Sequence, residues 1–214
     1  NEDNVVLETL GKTAHGATPE EGLNSVSYMI AFLSILNLTN ADSAKFIEEY
    51  NKLIGLEYNG KSFGCYFEDE LSGITTLNIG TIKLDKKGVT LKCNLRDPIS
   101  IEYEDVLNNI KNSLKDSPLE YHEFELLKPI YFTKDDNLIK TMMEIYREET
   151  GDLENEPIVI GGATYARALP NTVGFGPVFP GQKELAHQAN EFISIDDLMK
   201  ITEIYTKTIY ALCE

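Results

Sequence analysis

The sequence is short of several things that would fix its function class at once. Its three cysteines, Cys65, Cys93 and Cys213, are scattered, odd in number and free of Cys-X-X-Cys spacing, so neither a disulfide framework nor a thiolate zinc site is supported. They read as reduced, structural thiols. Basic residues are scarce, 19 against 35 acids, for a formal charge of −16. A surface of that sign repels phosphate, which argues against nucleic acid and anionic membrane as partners. No apolar run reaches the roughly 20 residues needed to span a bilayer, and the first residues carry neither the basic nor the apolar region of a signal peptide. Together these absences suggest a cytoplasmic protein. A linker rich in Gly, Ser or Pro, an internal repeat and a low-complexity segment are also missing.

What is present suffices for a core: 214 residues, 42% of them hydrophobic, a length for one or two domains. Residues 4–12, with Val5, Val6, Leu7 and Leu10, form a strand-like run. A strand with no element before it suggests an N-terminal truncation. Residues 26–36 are too densely apolar for a one-faced surface helix and predict a buried one. Ala44, Phe46, Ile47, Tyr50 and Ile54 set a second helix over 41–54, stopped by Gly55. A loop with a short strand near 63–67 follows. Residues 74–84 and 89–95 alternate about Asp85-Lys86-Lys87-Gly88, a hairpin signal. Tyr103, Val106, Leu107, Ile110 and Leu114 keep the helical period, and 119–127 reads as a last strand. Strand, helices, strand, strand, helix, strand is the split βαβ order of a ferredoxin-like sandwich. From Lys128-Pro129 a second unit begins: a helix over 138–146, short strands at 157–160 (buried) and 172–175, a helix-like 165–169 and a closing helix over 195–212. The expected class is α+β, with units 1–128 and 129–214.

The stretch most unlike a packing element runs through Gly161-Gly162-Ala163-Thr164-Tyr165-Ala166-Arg167, residues 171–176, Phe179-Pro180-Gly181 and Ala186-His187-Gln188-Ala189-Asn190-Glu191. It holds five of the fifteen glycines and three of the eight prolines. Such a run keeps backbone in tight, open conformations where bare amides can face a ligand, as in the wall of a site. His187 could offer a neutral ring nitrogen to a metal, or be a solvated surface histidine, since one histidine is not a ligand set. His15, on a turn between Lys12, Gly16 and Pro19, could donate to a developing oxyanion or simply cap the turn. Arg96 ends the return strand, where its rigid donor fork suits a carboxylate; a surface pair with Asp97 or Asp105 is the alternative. Arg167, directly after the glycine turn, competes with it. His122, among glutamates, reads as a surface residue, and Glu148-Glu149-Thr150-Gly151 as a solvated helix end.

Taken jointly, residues 161–167, Gly174-Phe175-Gly176, Phe179-Pro180-Gly181 and His187-Gln188-Ala189-Asn190-Glu191 resemble the C-terminal end of the Xaa-His (β-alanyl) dipeptidase branch of the dinuclear zinc peptidases. Aminoacylases, carboxypeptidase G and succinyl-diaminopimelate desuccinylase are relatives of that branch. The run 11–19, with Gly22 and Asn24, resembles the family's lid histidine motif. The resemblance implies a ferredoxin-like lid over 1–128, followed by the C-terminal segment of an α/β catalytic domain over 129–214. It further implies that His15 polarises the scissile carbonyl, that Arg96 with Gly161, Gly162, Thr164 and Arg167 holds the carboxylate of a small dipeptide, and that His187 ligates one of two zinc ions activating a bridging water. The family's other ligands, one histidine, two aspartates and a glutamate, and its general base have no counterpart here, and no His-X-Asp motif exists. The chain therefore resembles less than half of a metallo-dipeptidase and is expected to be inactive alone. Two alternatives stay open: an N-acyl amino acid amidohydrolase of the same superfamily, and a non-catalytic lid or assembly module. The resemblance leaves room for a homo-oligomer through the lid.

Overall fold

A computed structural model describes residues 5–183, 185–186 and 190–213. The chain divides into two compact units, Asn1–Lys128 with Ile160–Gly162, and Pro129–Val159 with Ala163–Glu214. The Ile160–Gly162 segment thus groups with the first unit rather than with the glycine-rich stretch around it.

In the first unit, helix α1 spans Ser25–Ser34 and α2 spans Ala41–Leu53. Each starts on an asparagine, whose side-chain oxygen accepts the otherwise unpaired amides of the first turn: Asn24 from Val26 and Ser27, and Asn40 from Ser43. Two short strands, β1 (Glu68–Asp69) and β2 (Gly73–Ile74), pair antiparallel. The longer strands β3 (Thr76–Asp85) and β4 (Gly88–Arg96) form the hairpin, with Leu77 opposite Leu95, Asp85 opposite Gly88, and an irregularity between Ile79 and Thr81. At its turn, Asp85 accepts the Lys87 amide at 2.7 Å, as a side chain that mimics a backbone turn does. Helix α3 covers Tyr103–Leu114.

The core joins Ile30 of α1, Phe46, Ile47, Tyr50 and Leu53 of α2, and Leu77 and Ile79 of β3. Tyr50 is fully buried, and its hydroxyl is paired with Ser27 Oγ at 2.7 Å, which removes the penalty of an orphaned polar group. A smaller cluster, Cys65, Val106 and Ile110, lies under α3. Burial pushes the Cys65 thiol up to about 12, so this cysteine is a small inert hydrophobe, as its isolation in the sequence suggested.

Several strand and burial expectations fail for one physical reason. In residues 5–12 the only pairing is an isolated antiparallel bridge of Lys12 with Leu23, and Val5 and Val6 are almost fully exposed. Residues 119–127 carry no strand; Phe124 instead lies beneath the Lys92 ammonium, 4.8 Å from the ring centre. Residues 157–160 are not a strand and 158–160 are exposed, and neither 63–67 nor 172–175 is a strand. Alternating apolar residues make a strand only where a partner edge and a buried face exist. Helix α1 likewise buries Ser27 and Ile30 but exposes Tyr28 and Phe32, one turn apart, and Ile35 and Leu36 just past its end are exposed as well, so it is not the buried helix its density predicts.

In the second unit, α4 (Asn137–Thr150) packs on α5 (Ile195–Cys213) through Ile139, Met142 and Ile145 on one side and Ile201 and Ile204 on the other. Asp136 caps α4 at its start, and Gly151, at φ 72°, ends it in the left-handed conformation that glycine adopts at little cost. A short 3-10 turn covers Tyr165–Ala168. Helices with small antiparallel pairings make the chain α+β. No helix among the described residues is long and apolar enough to cross a membrane.

Candidate active site

The loop carrying His15 is closed at its base by the Lys12 and Leu23 backbone pair, at 3.0 and 2.9 Å. Gly22 sits inside that closure, where an added Cβ would stand 2.8 Å from the Lys12 carbonyl and 2.9 Å from Ala14 Cβ. Within the loop, the Thr18 amide donates to the His15 carbonyl at 3.0 Å, and Pro19–Glu21 form a 3-10 turn. The loop then runs into Asn24, whose Nδ2 donates to the Ile79 carbonyl at 2.8 Å and so ties it to β3.

The His15 ring is exposed, and its Nδ1 accepts the Ala17 amide at 3.2 Å. An accepting Nδ1 has no proton, so the neutral ring carries its proton on Nε2. That tautomer makes Nε2–H a donor.

Arg96 ends β4. Opposite it across the hairpin stands Thr76, and Asn94 stands opposite Asn78; with a side-chain period of two, these four share one face, while Leu77 and Ile79 point into the core. The guanidinium is held at two points: Nε donates to Asn94 Oδ1 at 2.8 Å, and Nη1 donates to the Gly161 carbonyl. A Cβ on Gly16 would lie 3.3 Å from Arg96 Nη2 and 3.9 Å from Asn78 Nδ2, which brings the His15 turn onto the same polar face. A Cβ on Gly161 would meet Ala17 Cβ at 2.8 Å and Arg96 Cδ at 3.8 Å. His15, Arg96 and Gly161 are therefore brought together, with Gly162 next in the chain.

Asp97, one of the residues considered as a surface partner for Arg96, accepts from Thr75 Oγ1 at 3.3 Å, and Thr75 is fully buried. Burial pushes its carboxyl up to about 6, against the pull of the Thr75 hydroxyl. Asp69 shows the opposite: its carboxylate takes the Leu71, Ser72 and Ser100 amides and the Ser72 hydroxyl. These donors, the Ser72 amide foremost, hold it well below the usual carboxylate range.

The remaining sequence candidates belong to the second unit. Thr164 Oγ1 accepts the Ala166 amide at 3.2 Å and caps the turn that includes Arg167. The following loop is anchored on α5, where the Tyr205 hydroxyl donates to the Phe175 carbonyl and the two rings lie 5.8 Å apart. Glu149 is not the solvated helix end its surroundings suggested. Its side chain is only 8% exposed and pairs with Lys207, while its carbonyl accepts from Lys200 at 3.0 Å. The Lys207 contact lowers the Glu149 carboxyl and raises the Lys207 ammonium. Glu148, by contrast, is 71% exposed. His187 lies outside the described residues.

Sequence reasoning assigned nothing to Asn94 or Ala17. For Asn94 a signal existed, since two-residue alternation places it on the face of Arg96. Ala17 acts through a backbone amide, which no side-chain pattern reveals.

Comparison with known proteins finds relatives along nearly the whole chain. The model of peptidase family M20/M25/M40 matches residues 13–211. A protein of Staphylococcus epidermidis (strain ATCC 12228 / FDA PCI 1200) named "Putative dipeptidase" is 36% identical over 210 residues, which cover 98% of this chain and 44% of that protein. Proteins of the same description from Staphylococcus haemolyticus (strain JCSC1435) and Staphylococcus aureus (strain USA300) are 34% and 35% identical over the same shares. The chain thus spans 44% of the length of the curated relatives it matches. With nearly its whole length matched and its His15 loop inside the match, the chain belongs to peptidase family M20/M25/M40.

Proposed function

We propose that this chain supplies the substrate-clamping part of a dipeptidase, and that the full-length protein hydrolyses the amide bond of dipeptides in the cytoplasm. The observation that carries the reading is the convergence of the His15 turn, Arg96 and Gly161, with the Ala17 amide on His15 Nδ1. In this reading the first unit is the family's ferredoxin-like lid, and the second is the C-terminal part of the catalytic domain. His15 Nε2–H donates to the scissile carbonyl oxygen as negative charge develops there, a contact that strengthens towards the transition state. Arg96, already oriented by Asn94 and the Gly161 carbonyl, meets the substrate carboxylate; the resemblance also assigns Gly162, Thr164 and Arg167 to carboxylate binding.

The resemblance implies two zinc ions. Among the described residues no group of three His, Cys, Asp or Glu converges where a cation could be held, and His187 is outside them. The proposal therefore gives this chain the oxyanion and carboxylate contacts and routes no step through metal.

The test compares a polypeptide of the relatives' full length with its His15→Ala and Arg96→Ala variants. His15→Ala should lower kcat about a hundredfold or more with little change in KM, the cost of one oxyanion donor. Arg96→Ala should chiefly raise KM, and Arg96→Lys should recover only part, because a point charge cannot make two parallel hydrogen bonds. Unchanged turnover in His15→Ala sinks the oxyanion role. A higher kcat/KM on N-acyl amino acids than on dipeptides moves the substrate to the related amidohydrolase class. The exposed apolar side chains Tyr28 and Phe32 on α1, with Ile35 and Leu36 just past its end, favour a second reading, a non-catalytic assembly module that joins a second copy of the first unit. Absence of turnover at full length leaves that reading in place.

A further inference from the structure

We infer that Gly161 is a positioning residue that fixes the His15 turn and Arg96 in one relation to each other. Two independent contacts converge on it. Its bare Cα is the seat of Ala17, since a Cβ there would stand 2.8 Å from Ala17 Cβ, closer than two methyl groups approach. Its carbonyl holds Arg96 Nη1. Its backbone is not in the left-handed region, so what requires glycine at 161 is the close approach and not the main-chain conformation.

The consequence passes through one amide. Ala17 presents its N–H to His15 Nδ1, and that bond selects the ring tautomer with a proton on Nε2. A methyl group at 161 displaces Ala17, weakens its N–H bond to the ring, and releases both the orientation and the tautomer of His15. The same methyl stands 3.8 Å from Arg96 Cδ, an ordinary contact, so Arg96 itself has room. Gly161 therefore acts on His15 by shape and on Arg96 by its carbonyl. This differs from a direct contact of Gly161 with substrate, and it predicts a dependence on the residue at 17 that a substrate contact does not have.

The inference takes the roles of His15 and Arg96 from the proposed function, but its first readout needs no activity. Ring nitrogen shifts of His15 are recorded on the 214-residue chain by long-range proton–nitrogen correlation in mildly basic solution. Assignment uses His15→Gln. Four proteins are compared: the parent, Gly161→Ala, Ala17→Gly and the double variant. The parent should show the Nε2–H pattern, Gly161→Ala should shift both nitrogens towards a tautomer mixture, and the double variant, with the opposing methyl removed, should return to the parent's pattern. Equal shifts in parent and Gly161→Ala overturn the inference, as does a double variant that stays shifted. Should Gly161→Ala fail to fold, the double variant decides: restored folding and pattern support the contact, and an equal failure to fold overturns it. At full length the same cycle should lower kcat about tenfold or more in Gly161→Ala, the effect of a small misplacement of a reacting group, and restore it in the double variant. A nitrogen-shift cycle that closes as described in a full-length protein without turnover refutes the proposed function and leaves the inference standing.

Discussion

The two units hold their candidate residues in different ways. In the first, Arg96, Asn94, Asn78 and Thr76 stand on one face of a hairpin whose other face puts Leu77 and Ile79 into a core shared with α1 and α2. Backbone ladder, core packing and side-chain bonds all act on the same few residues. In the second, two helices pack on each other, but the glycine-rich stretch between them has no ladder among its described residues. It rests on single contacts, among them Thr164 Oγ1 with the Ala166 amide, the Tyr205 hydroxyl with the Phe175 carbonyl and Gln182 Nε2 with Asp197 Oδ2. The difference teaches where precision comes from: a site group is held as well as the element beneath it is buried.

The largest expected effect tests that contrast in stability. Leu77→Ala removes a side chain that is 3% exposed and should cost about 2–5 kcal/mol by chemical denaturation, from lost transfer energy plus the cavity. Ile158→Ala removes one that is 82% exposed and should change stability by less than about 0.5 kcal/mol. Similar costs for the two would break the comparison.

A smaller effect concerns charge within the first unit. The Asp97 carboxyl sits at about 6 in the fold, above an unfolded value near 3.9. It therefore holds its proton more tightly when folded, so it costs nothing below the unfolded value, costs progressively more as pH climbs from there to about 6, and costs a constant amount above that. Asp97→Asn should stabilise the chain at pH 7.5 by about 1–2 kcal/mol, which is two units at about 1.4 kcal/mol each less solvent screening. At pH 3.5 it should do almost nothing. A gain of equal size at both pH values would mean that burial of charge is not the cause.

The smallest effect sharpens the picture of the second unit. Tyr205→Phe keeps the ring against Phe175 and removes the hydroxyl that donates to its carbonyl. A loss of about 0.5–1.5 kcal/mol is expected, the net value of one hydrogen bond. It should come with faster amide hydrogen exchange in residues 172–176 and none in the β3–β4 hairpin. Faster exchange spread evenly over both units would contradict the local role.

How much was legible in the sequence depends on the range of the interaction concerned. The hairpin about Asp85-Lys86-Lys87-Gly88, α2 with its apolar period, α3, and α4 ending at Gly151 all follow from local signals, because turn chemistry, helical periodicity and caps act over a few residues. The same local run misled at residues 5–12 and 157–160, where β-forming side chains find no edge to pair with. Glu149 misled in another way. Its neighbours read as a solvated end, and only α5, more than fifty residues on, supplies Lys207 to cover it.

The sequence by itself determined the class of structure and, through its ordered motifs, the family, since these rest on composition and on spacing along the chain. Tertiary structure alone decided that His15, Arg96 and Gly161 meet, that the Ala17 amide selects the histidine tautomer, and that Arg96 spends one nitrogen on Asn94 and another on a backbone carbonyl. Such contacts join residues up to 65 positions apart. Their geometry is set by the packing of a hairpin on two helices, which no local preference encodes.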